Sequence, residues 1–136
     1  MTPPTASLGY VILYVKDVAA SLAFYEAAFG LGRRFFHDDN GKAYGELETG
    51  ATRLGFYSLA LVEAHSKTGV VAAQPGEKPL GMEIAFTTEN VPGLYARALE
   101  AGAMAVSEPE AKPWGQVVAY VRDDSGFLVE ICTAMP

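Results

Sequence analysis

The chain has 136 residues, 50% of them hydrophobic, and a formal net charge of −6 from sixteen acidic and ten basic side chains. This length favours one domain (1–136) with a substantial core, and the acidic balance argues against a nucleic-acid partner, which would require a basic face. No apolar run approaches the ~20 residues of a membrane helix, the N-terminal stretch lacks the features of a secretory signal, and Cys132 is the single cysteine. We therefore expect a cytoplasmic protein with no membrane or nucleic-acid partner.

The first predicted elements are a strand and a helix within residues 9–30. The segment 10–15 is largely apolar on both faces, as expected for a strand with a helix on one side and a pocket on the other. Asp17 occupies the position of a helix N-cap and Gly30 that of a C-terminal stop. The helix between them carries an apolar stripe formed by Leu22, Phe24, Tyr25, Ala28 and Phe29.

Three short strands follow this helix, and the same order of elements then repeats. Residues 81–102 contain a strand, an Asn90 cap, a helix with Pro92 in its first turn, and a terminal Gly102. The turns DDNG at 38–41 and DDSG at 123–126 lie between strands in the two halves. The strands predicted after the helices are 32–37, 43–49 and 52–58 in the first half and 103–106, 116–122 and 126–132 in the second.

The repeat predicts an α+β fold of two βαβββ modules with a cleft between them. Module one covers residues 8–60, a linker covers 61–80, and module two covers 81–133. The linker has mixed polarity and no clear period, so we interpret it as a connection that can act as a mobile flap. One such chain would leave strand edges and an apolar cleft partly open, which predicts a homodimer.

Two segments carry a family resemblance. VILYVKDVAASLAFYEAAFGL resembles the opening of the vicinal oxygen chelate superfamily, and WGQVVAYVRDDSGFLVEIC resembles its final hairpin. This superfamily includes glyoxalase I, extradiol dioxygenases, methylmalonyl-CoA epimerase and the bleomycin-resistance proteins. The resemblance runs from about Leu8 to Cys132 and implies curved mixed sheets that enclose a cleft, often completed by dimerisation. It implies much less about function, because the same fold hosts several chemistries.

The resemblance also implies where a metal ion would bind. Metal-using members hold it through one residue on the first strand and one on the last strand of each module, usually histidine or glutamate. Those positions fall on Tyr10, Gly55, Glu83 and Glu130. Glycine offers no side chain, tyrosine is a poor ligand near neutral pH, and the absence of imidazole does not suit zinc, nickel or iron. We expect no cofactor, and the alternative is a hard divalent metal ion at Glu83, Glu130 and Tyr10.

The period of two along each strand places further residues on the same faces as these four positions. The resulting cleft is apolar and aromatic with an acidic floor, a composition that suits a small organic ligand. Trp114, the sole tryptophan, belongs to a loop that the resemblance places at the cleft mouth. The predicted ligand-binding residues are Tyr10, Ile12, Tyr14, Arg53, Tyr57, Glu83, Trp114, Leu128 and Glu130.

The charged residues in these strands differ in what they predict. Glu83 interrupts the apolar strand GMEIAF, so its carboxylate must be solvated, paired or functional. Arg53 is either an inward counter-ion for Glu130 or an exposed residue. Glu46 and Glu48 are interpreted as solvent-facing carboxylates; they would join the cleft if the even-numbered face of strand 43–49 turns inward, a register that a bulge at Gly45 could alter.

Three functions remain open. The favoured one is a metal-free protein of the glyoxalase/bleomycin-resistance type that sequesters a small aromatic or cationic molecule. The second is a metal-dependent lyase, isomerase or dioxygenase with an atypical ligand set, against which Gly55 argues. The third is a metal-free enzyme with Glu83 or Glu130 as general base, because one of two neighbouring carboxyl groups titrates high. No catalytic residue is assigned beyond these two candidates.

Overall fold

The computed structural model describes residues 2–136 and contains two curved, four-stranded mixed sheets and three helices. The first half contains β1 (Tyr10–Val15), α1 (Val18–Phe29), β2 (Gly32–Asp39), β3 (Lys42–Glu48), β4 (Arg53–Ser58) and α2 (Leu59–His65). The second contains β5 (Glu83–Thr87), α3 (Val91–Glu100), β6 (Met104–Ala111), β7 (Val117–Arg122) and β8 (Leu128–Cys132). Sheet 1 has the order β1-β4-β3-β2 and sheet 2 the order β5-β8-β7-β6. The predicted βαβββ repeat is confirmed, and none of the helices within residues 2–136 has the length and apolar character needed to cross a bilayer.

The repeat extends to the register of the central strand pairs. In sheet 1, β1 runs parallel to β4 with Tyr10 opposite Arg53 and Ile12 opposite Gly55. In sheet 2, β5 runs parallel to β8 with Glu83 opposite Leu128 and Ala85 opposite Glu130. Each first-strand position therefore stands in the same relation to its last-strand partner, two residues out of direct register.

The helix boundaries predicted from the caps are confirmed. The Asp17 carboxylate accepts a hydrogen bond from the Ala20 amide at 3.1 Å, and the Asn90 side chain accepts one from the Gly93 amide at 3.0 Å. Gly30 and Gly102 follow their helices with φ angles of 71° and 106°, which only glycine adopts without cost. Every member of the apolar stripe predicted for α1 is buried.

The two halves share one hydrophobic core, in which α1 packs against sheet 1, α3 packs against sheet 2, and the two helices pack against each other. The rings of Phe29 and Phe86 lie 4.8 Å apart between centroids. The Tyr25 hydroxyl donates to the Asp123 carboxylate at 2.6 Å, and both side chains are almost fully buried. Burial and the neighbouring carboxylate raise the pKa of Tyr25 well above its ordinary value, so the phenol stays neutral and the buried carboxylate keeps its donor.

The segment predicted as a linker begins with a helix. α2 starts at Leu59, inside the range predicted for module one, and continues to His65. Ser58 caps it by accepting a hydrogen bond from the Leu61 amide at 3.2 Å. The helix was missed because β4 ends at Ser58, the same residue that caps α2, so the sequence shows no turn between them. The segment LALVEAH was therefore interpreted as the end of a strand followed by a linker.

The second part of the linker is held against module two by Arg122, a buried residue of β7. Its guanidinium donates to the carbonyl groups of Gln74 at 3.0 Å, Pro75 at 3.1 Å and Glu77 at 2.6 Å. Gly126 lies against the same segment, and a Cβ there would meet the Gln74 carbonyl carbon at 2.7 Å. These contacts hold residues 74–77 of the linker against module two.

Two strand details also differ from the prediction. β6 extends to Ala111, because its pairing with β7 continues past register shifts. β3 runs without a bulge at Gly45, and the irregularity lies in β2 between Arg33 and Phe35. Gly45 instead allows α1 to approach the sheet, since a Cβ there would come within 2.6 Å of Leu22 Cδ1.

Candidate ligand-binding site

Each sheet has one face covered by its long helix and an opposite face, here called the open face. On sheet 1 the residues Leu13, Val15, Leu54 and Phe56 point into the core. Strand alternation therefore places Tyr10, Ile12, Tyr14, Arg53, Gly55 and Tyr57 on the open face. In sheet 2 the same alternation places Glu83, Leu128, Glu130 and Tyr120 on one face, because β8 pairs in register with both β5 and β7.

Tyr44 occupies the space that a side chain at position 55 would need. A Cβ at Gly55 would lie 2.7 Å from the Tyr44 hydroxyl oxygen and 3.2 Å from its ring. The hydroxyl donates to Glu46 Oε2 at 2.5 Å, and Glu46 stands opposite Gly55 across the strand pair. Burial and the Glu46 carboxylate raise the pKa of Tyr44. On the open face of sheet 1, Tyr44 therefore covers Gly55, the one mapped position that lacks a side chain.

The charges on this face are paired. Arg34 Nε lies 3.3 Å from Glu46 Oε1, and Arg53 Nη1 lies 2.8 Å from Glu48 Oε1. Glu46 is only 6% exposed, so its interpretation as a solvent-facing carboxylate is wrong, whereas Glu48 is exposed as predicted. Arg53 finds its partner within sheet 1, so the alternative of a counter-ion for Glu130 is wrong in this chain.

Four aromatic side chains cross sheet 1 and form what we call the aromatic row: Phe35, Tyr44, Tyr57 and Tyr14. Successive ring centroids are 5.5 Å, 4.5 Å and 6.3 Å apart. The rings of Tyr14 and Tyr57 are nearly parallel, with an angle of 15° between their planes. Tyr10, at the start of β1, is 60% exposed and lies close enough to Tyr44 to affect its pKa.

Glu83 and Glu130 form an acid pair on sheet 2. Their carboxyl groups lie close enough to share a proton, and the hydrogen bond to Glu130, followed by partial burial, raises the pKa of Glu83. Burial opposes ionisation of Glu130, but hydrogen bonds from Glu83, Cys132 and Tyr120 outweigh this effect and lower the pKa of Glu130. The two shifts therefore run in opposite directions, with Glu83 the weaker acid of the pair.

Tyr120 and Cys132 complete the surroundings of the acid pair. The Tyr120 hydroxyl donates to Glu130 Oε1 at 3.0 Å, and desolvation together with this bond raises the pKa of Tyr120 to about 12. Desolvation and Glu130 likewise raise the pKa of the Cys132 thiol to about 11. The thiol therefore stays protonated near neutral pH, so Cys132 is a poor nucleophile.

The other predicted residues fall at separate places. Ile12 lies between Tyr10 and Tyr14 on β1, and Leu128 lies opposite Glu83 on β8. Trp114 lies in the turn between β6 and β7, 54% exposed, with its indole N–H donating to the Gln116 side chain at 2.7 Å. Among the predicted site residues, two pairs are thus in contact in the structure: Tyr14 with Tyr57, and Glu83 with Glu130.

Sequence reasoning missed three contributors. Arg34 sits at the β2 irregularity, which no local pattern signals. Tyr120 could have been found by counting back from the DDSG turn, because that hairpin sets it opposite Glu130. The residues of α2 could have been found from Ser58 as an N-cap, and they border a cavity described below.

Comparison with known proteins gives the family. The family model described as "Glyoxalase/Bleomycin resistance protein/Dioxygenase superfamily" matches residues 7–131, nearly the whole chain. The chain belongs to this superfamily. Comparison with proteins of curated function gave no match.

Solved structures of the superfamily share the fold. A glyoxalase-related enzyme from Fulvimarina pelagi superposes with a TM-score of 0.75 at 24% identity, covering 96% of this chain and 89% of that one. A glyoxalase/bleomycin resistance protein/dioxygenase family enzyme from Burkholderia phytofirmans PsJN gives 0.70 at 21% identity, with 94% and 98% covered. TioX from Micromonospora sp. ML1 gives 0.68 at 22% identity, with the same coverage. At these identities the likeness extends to the fold and not to the ligand.

The residues at the superfamily's metal positions do not form a donor set for zinc, nickel or iron. In this chain the first module offers a tyrosine and a glycine whose space is filled by Tyr44. The second offers two carboxyl groups, Glu83 and Glu130, and the pKa of Glu83 is raised by its neighbour. Within residues 2–136, no three His, Cys, Asp or Glu side chains are grouped so that they could hold a metal ion. Thiolate and imidazole ligands, which these ions favour, are missing from the four positions.

Proposed function

We propose that this superfamily member binds a small aromatic molecule, cationic or neutral, on its open faces and does so without a resident metal ion. The acid pair carries the proposal. Glu83 and Glu130 lie on the same face of neighbouring strands and shift each other's pKa, and a cationic group placed between them would relieve the repulsion of two carboxylates. An anionic group would increase that repulsion. The aromatic row supplies the stacking and cation–π contacts that such ligands use.

The proposed site residues divide into two groups by role. Glu83 and Glu130 recognise charge, with Leu128 as their apolar neighbour. Tyr10, Ile12, Tyr14, Tyr57 and Trp114 provide contact area, and Arg53 belongs to the charge network that neutralises Glu48. Such a division of a few polar groups among many apolar ones is typical of small-molecule sites.

The experiment compares three naphthalenes that differ only in charge: the 2-aminomethyl cation, the 2-hydroxymethyl alcohol and the 2-carboxylate. Binding is followed by calorimetry and by fluorescence of Trp114, the sole tryptophan. We expect the cation to bind best and the carboxylate worst. Glu83→Gln and Glu130→Gln should each weaken the cation about 5- to 10-fold, roughly 1–1.4 kcal/mol, and leave the alcohol unchanged.

The control is Glu100→Gln, which removes an exposed carboxylate at the end of α3 without touching the acid pair. It should leave all three affinities unchanged. Strongest binding by the carboxylate, or equal losses in Glu83→Gln and Glu100→Gln, would refute the role of the acid pair.

The metal-dependent lyase, isomerase or dioxygenase is the competing function. Elemental analysis after exhaustive dialysis separates the two. We expect no stoichiometric zinc, nickel or iron, because the four positions lack imidazole. About one such ion per chain would overturn the metal-free proposal and favour an enzyme.

Proton transfer by Glu83 is a second candidate function, favoured by the raised pKa of this residue beside a carboxyl group of lowered pKa. It predicts a chemical change in a bound molecule, not only its retention. Turnover abolished in Glu83→Gln while binding persists would distinguish an enzyme from a binding protein.

We also propose that the protein is a homodimer. Tyr10, Phe35, Met104, Val106 and Trp114 are all more than 40% exposed, and four of them lie on β1, β2 or β6 at sheet edges. Apolar side chains along strand edges are usually covered by a partner. Light scattering at micromolar concentration should give twice the 14.5 kDa mass of the chain.

A further inference from the structure

A cavity of about 480 Å³ lies on the open face of sheet 1, between the end of the aromatic row and α2. Its floor is formed by Tyr14 and Tyr57, the pair with nearly parallel rings. Its lining is completed by Leu61, Val62 and His65 of α2 and by Ser66, Thr68 and Val70 of the following turn. The volume falls within the ~300–1,000 Å³ typical of small-molecule sites.

We propose that this cavity is a binding site for a planar, uncharged aromatic ring. The inference rests on the proposed function in taking the open faces as the ligand-binding side, and it assigns the ring to a place separate from the acid pair. No Asp, Glu, Lys or Arg side chain is among the residues that line the cavity. The acids nearest to the aromatic row, Glu46 and Glu48, are paired with Arg34 and Arg53. A cationic ring would therefore find no carboxylate counter-ion among the lining residues.

The tyrosines are held in place before a ligand arrives. Arg34 pairs with Glu46, Glu46 accepts from the Tyr44 hydroxyl, and the Tyr44 ring packs against Tyr57 at 4.5 Å. Tyr57 stands directly opposite Tyr14 in the register of β1 and β4. Because the two rings are already ordered and nearly parallel, a flat ligand that stacks on them loses little side-chain entropy from the protein.

The opposite wall is also ordered by its own contacts. Val62 is buried, and its carbonyl accepts from the Ser66 amide at 2.7 Å. The Ser66 hydroxyl in turn accepts from the Gly69 amide at 2.9 Å, which fixes the turn after α2. The lining on this side combines the aliphatic side chains of Leu61 and Val62 with the polar side chains of His65, Ser66 and Thr68. A ring with one hydroxyl or ring nitrogen at its edge fits this lining best.

The test is a matched pair of substitutions on one helix. Leu61→Trp fills the cavity, whereas Glu63→Trp places the same side chain on the exposed side of α2. The probe is 2-(hydroxymethyl)naphthalene, its affinity is measured by calorimetry, and its location by NMR of the Leu61, Val62 and Val70 methyl groups and the His65 ring. We expect at least a tenfold loss of affinity in Leu61→Trp and less than a twofold change in Glu63→Trp.

A second variant keeps the test decisive if Leu61→Trp fails to fold. Tyr57→Leu removes one stacking ring and retains an apolar side chain, and it should weaken the probe about fivefold or more. Unchanged affinity in the folded cavity variant, or ligand-induced NMR shifts away from α2 and β4, would overturn the inference. The cavity variants are read with this uncharged probe and the acid-pair variants with the 2-aminomethyl cation, so failure at this cavity and failure of the acid pair produce different results.

Discussion

The two sheets differ in how the carboxyl groups on their open faces are neutralised. On sheet 1, Glu46 of β3 is buried, accepts a hydrogen bond from Tyr44 and is paired with Arg34. On sheet 2, Glu130 of β8 lies beside a second carboxyl group, Glu83, and accepts a hydrogen bond from Tyr120. Glu46 and Tyr120 are equivalent in the repeat, since each stands opposite the last-strand position of its module. The same backbone register thus supports a carboxylate paired with an arginine on sheet 1 and two carboxyl groups beside each other on sheet 2. This difference is the basis on which we propose charge recognition on sheet 2 and shape recognition on sheet 1.

The largest expected effect concerns Gly55. In Gly55→Ala the new methyl group would collide with the Tyr44 hydroxyl, displace the ring and weaken its bond to Glu46. We expect the free energy of unfolding to fall by about 1–3 kcal/mol, as for other overpacked sites. Chemical denaturation measures this change.

Two comparisons sharpen the Gly55 prediction. Gly32→Ala adds a methyl group to another strand of sheet 1, where no atom lies within 4 Å, and should cost much less. Combining Gly55→Ala with Tyr44→Phe removes the closest contact and should recover part of the loss. Equal costs at positions 32 and 55 would mean that Tyr44 does not close the face.

The next effect separates two carboxylates on one strand. Glu46→Ala leaves the Tyr44 hydroxyl and Arg34 without their buried acceptor, which should lower the free energy of unfolding by about 1–3 kcal/mol. Glu48→Ala removes an exposed ion pair with Arg53 and should cost less than about 1 kcal/mol. The free energies of unfolding of the two variants are compared by chemical denaturation in the same buffer. Similar losses in both variants would show that Glu46 is no more important to the stability of sheet 1 than Glu48.

The smallest effect on stability, and the most direct test of sheet 2, is the titration of Glu83. Carbon-13 NMR of its carboxyl group should give a pKa above the ordinary value, and Glu130→Gln should bring it down. Because the folded state raises this pKa, Glu83 contributes stability below the unfolded value of about 4.3 and loses it as pH rises through the folded pKa. Glu130, with its lowered pKa, contributes in the opposite direction. If the pKa of Glu83 is the same with and without Glu130→Gln, the two carboxyl groups do not interact, and the basis for a cation preference is lost.

Much of this architecture was predictable because it depends on local signals. Asp17, Gly30, Asn90 and Gly102 mark helix ends through caps and φ angles that the residue type itself dictates. Gly55, Glu83 and Glu130 were singled out because the family resemblance implies ligand positions on the first and last strands of each module. The pairing of Glu83 with Glu130 could be expected because parallel register brings the first and last strands of a module together.

What could not be predicted depends on contacts between distant segments. The burial of Glu46 requires Arg34, whose position follows from an irregularity in β2. From the sequence, Arg53 could be a counter-ion for Glu130 or an exposed residue, and only the fold shows that it pairs with Glu48. The cavity needs α2 to lie across the aromatic row, and a short helix whose cap directly follows a strand gives a weak periodic signal.

The contacts of Arg122 have a consequence for dividing the chain. Residues 74–77 are bound to the β7–β8 end of module two, while Val71, 80% exposed, precedes them. A cut or an inserted peptide at Val71 should therefore be tolerated, since exposed segments accept such changes when no buried backbone bond is lost. The same change at Pro75 would remove carbonyl groups from a buried guanidinium. If the chain is expressed as two fragments, 2–71 and 72–136, the Arg122 guanidinium and its carbonyl acceptors stay together on the second fragment. The two fragments would associate through the packing of α1 against α3. The chain is therefore a candidate for a split reporter whose halves reassemble in solution.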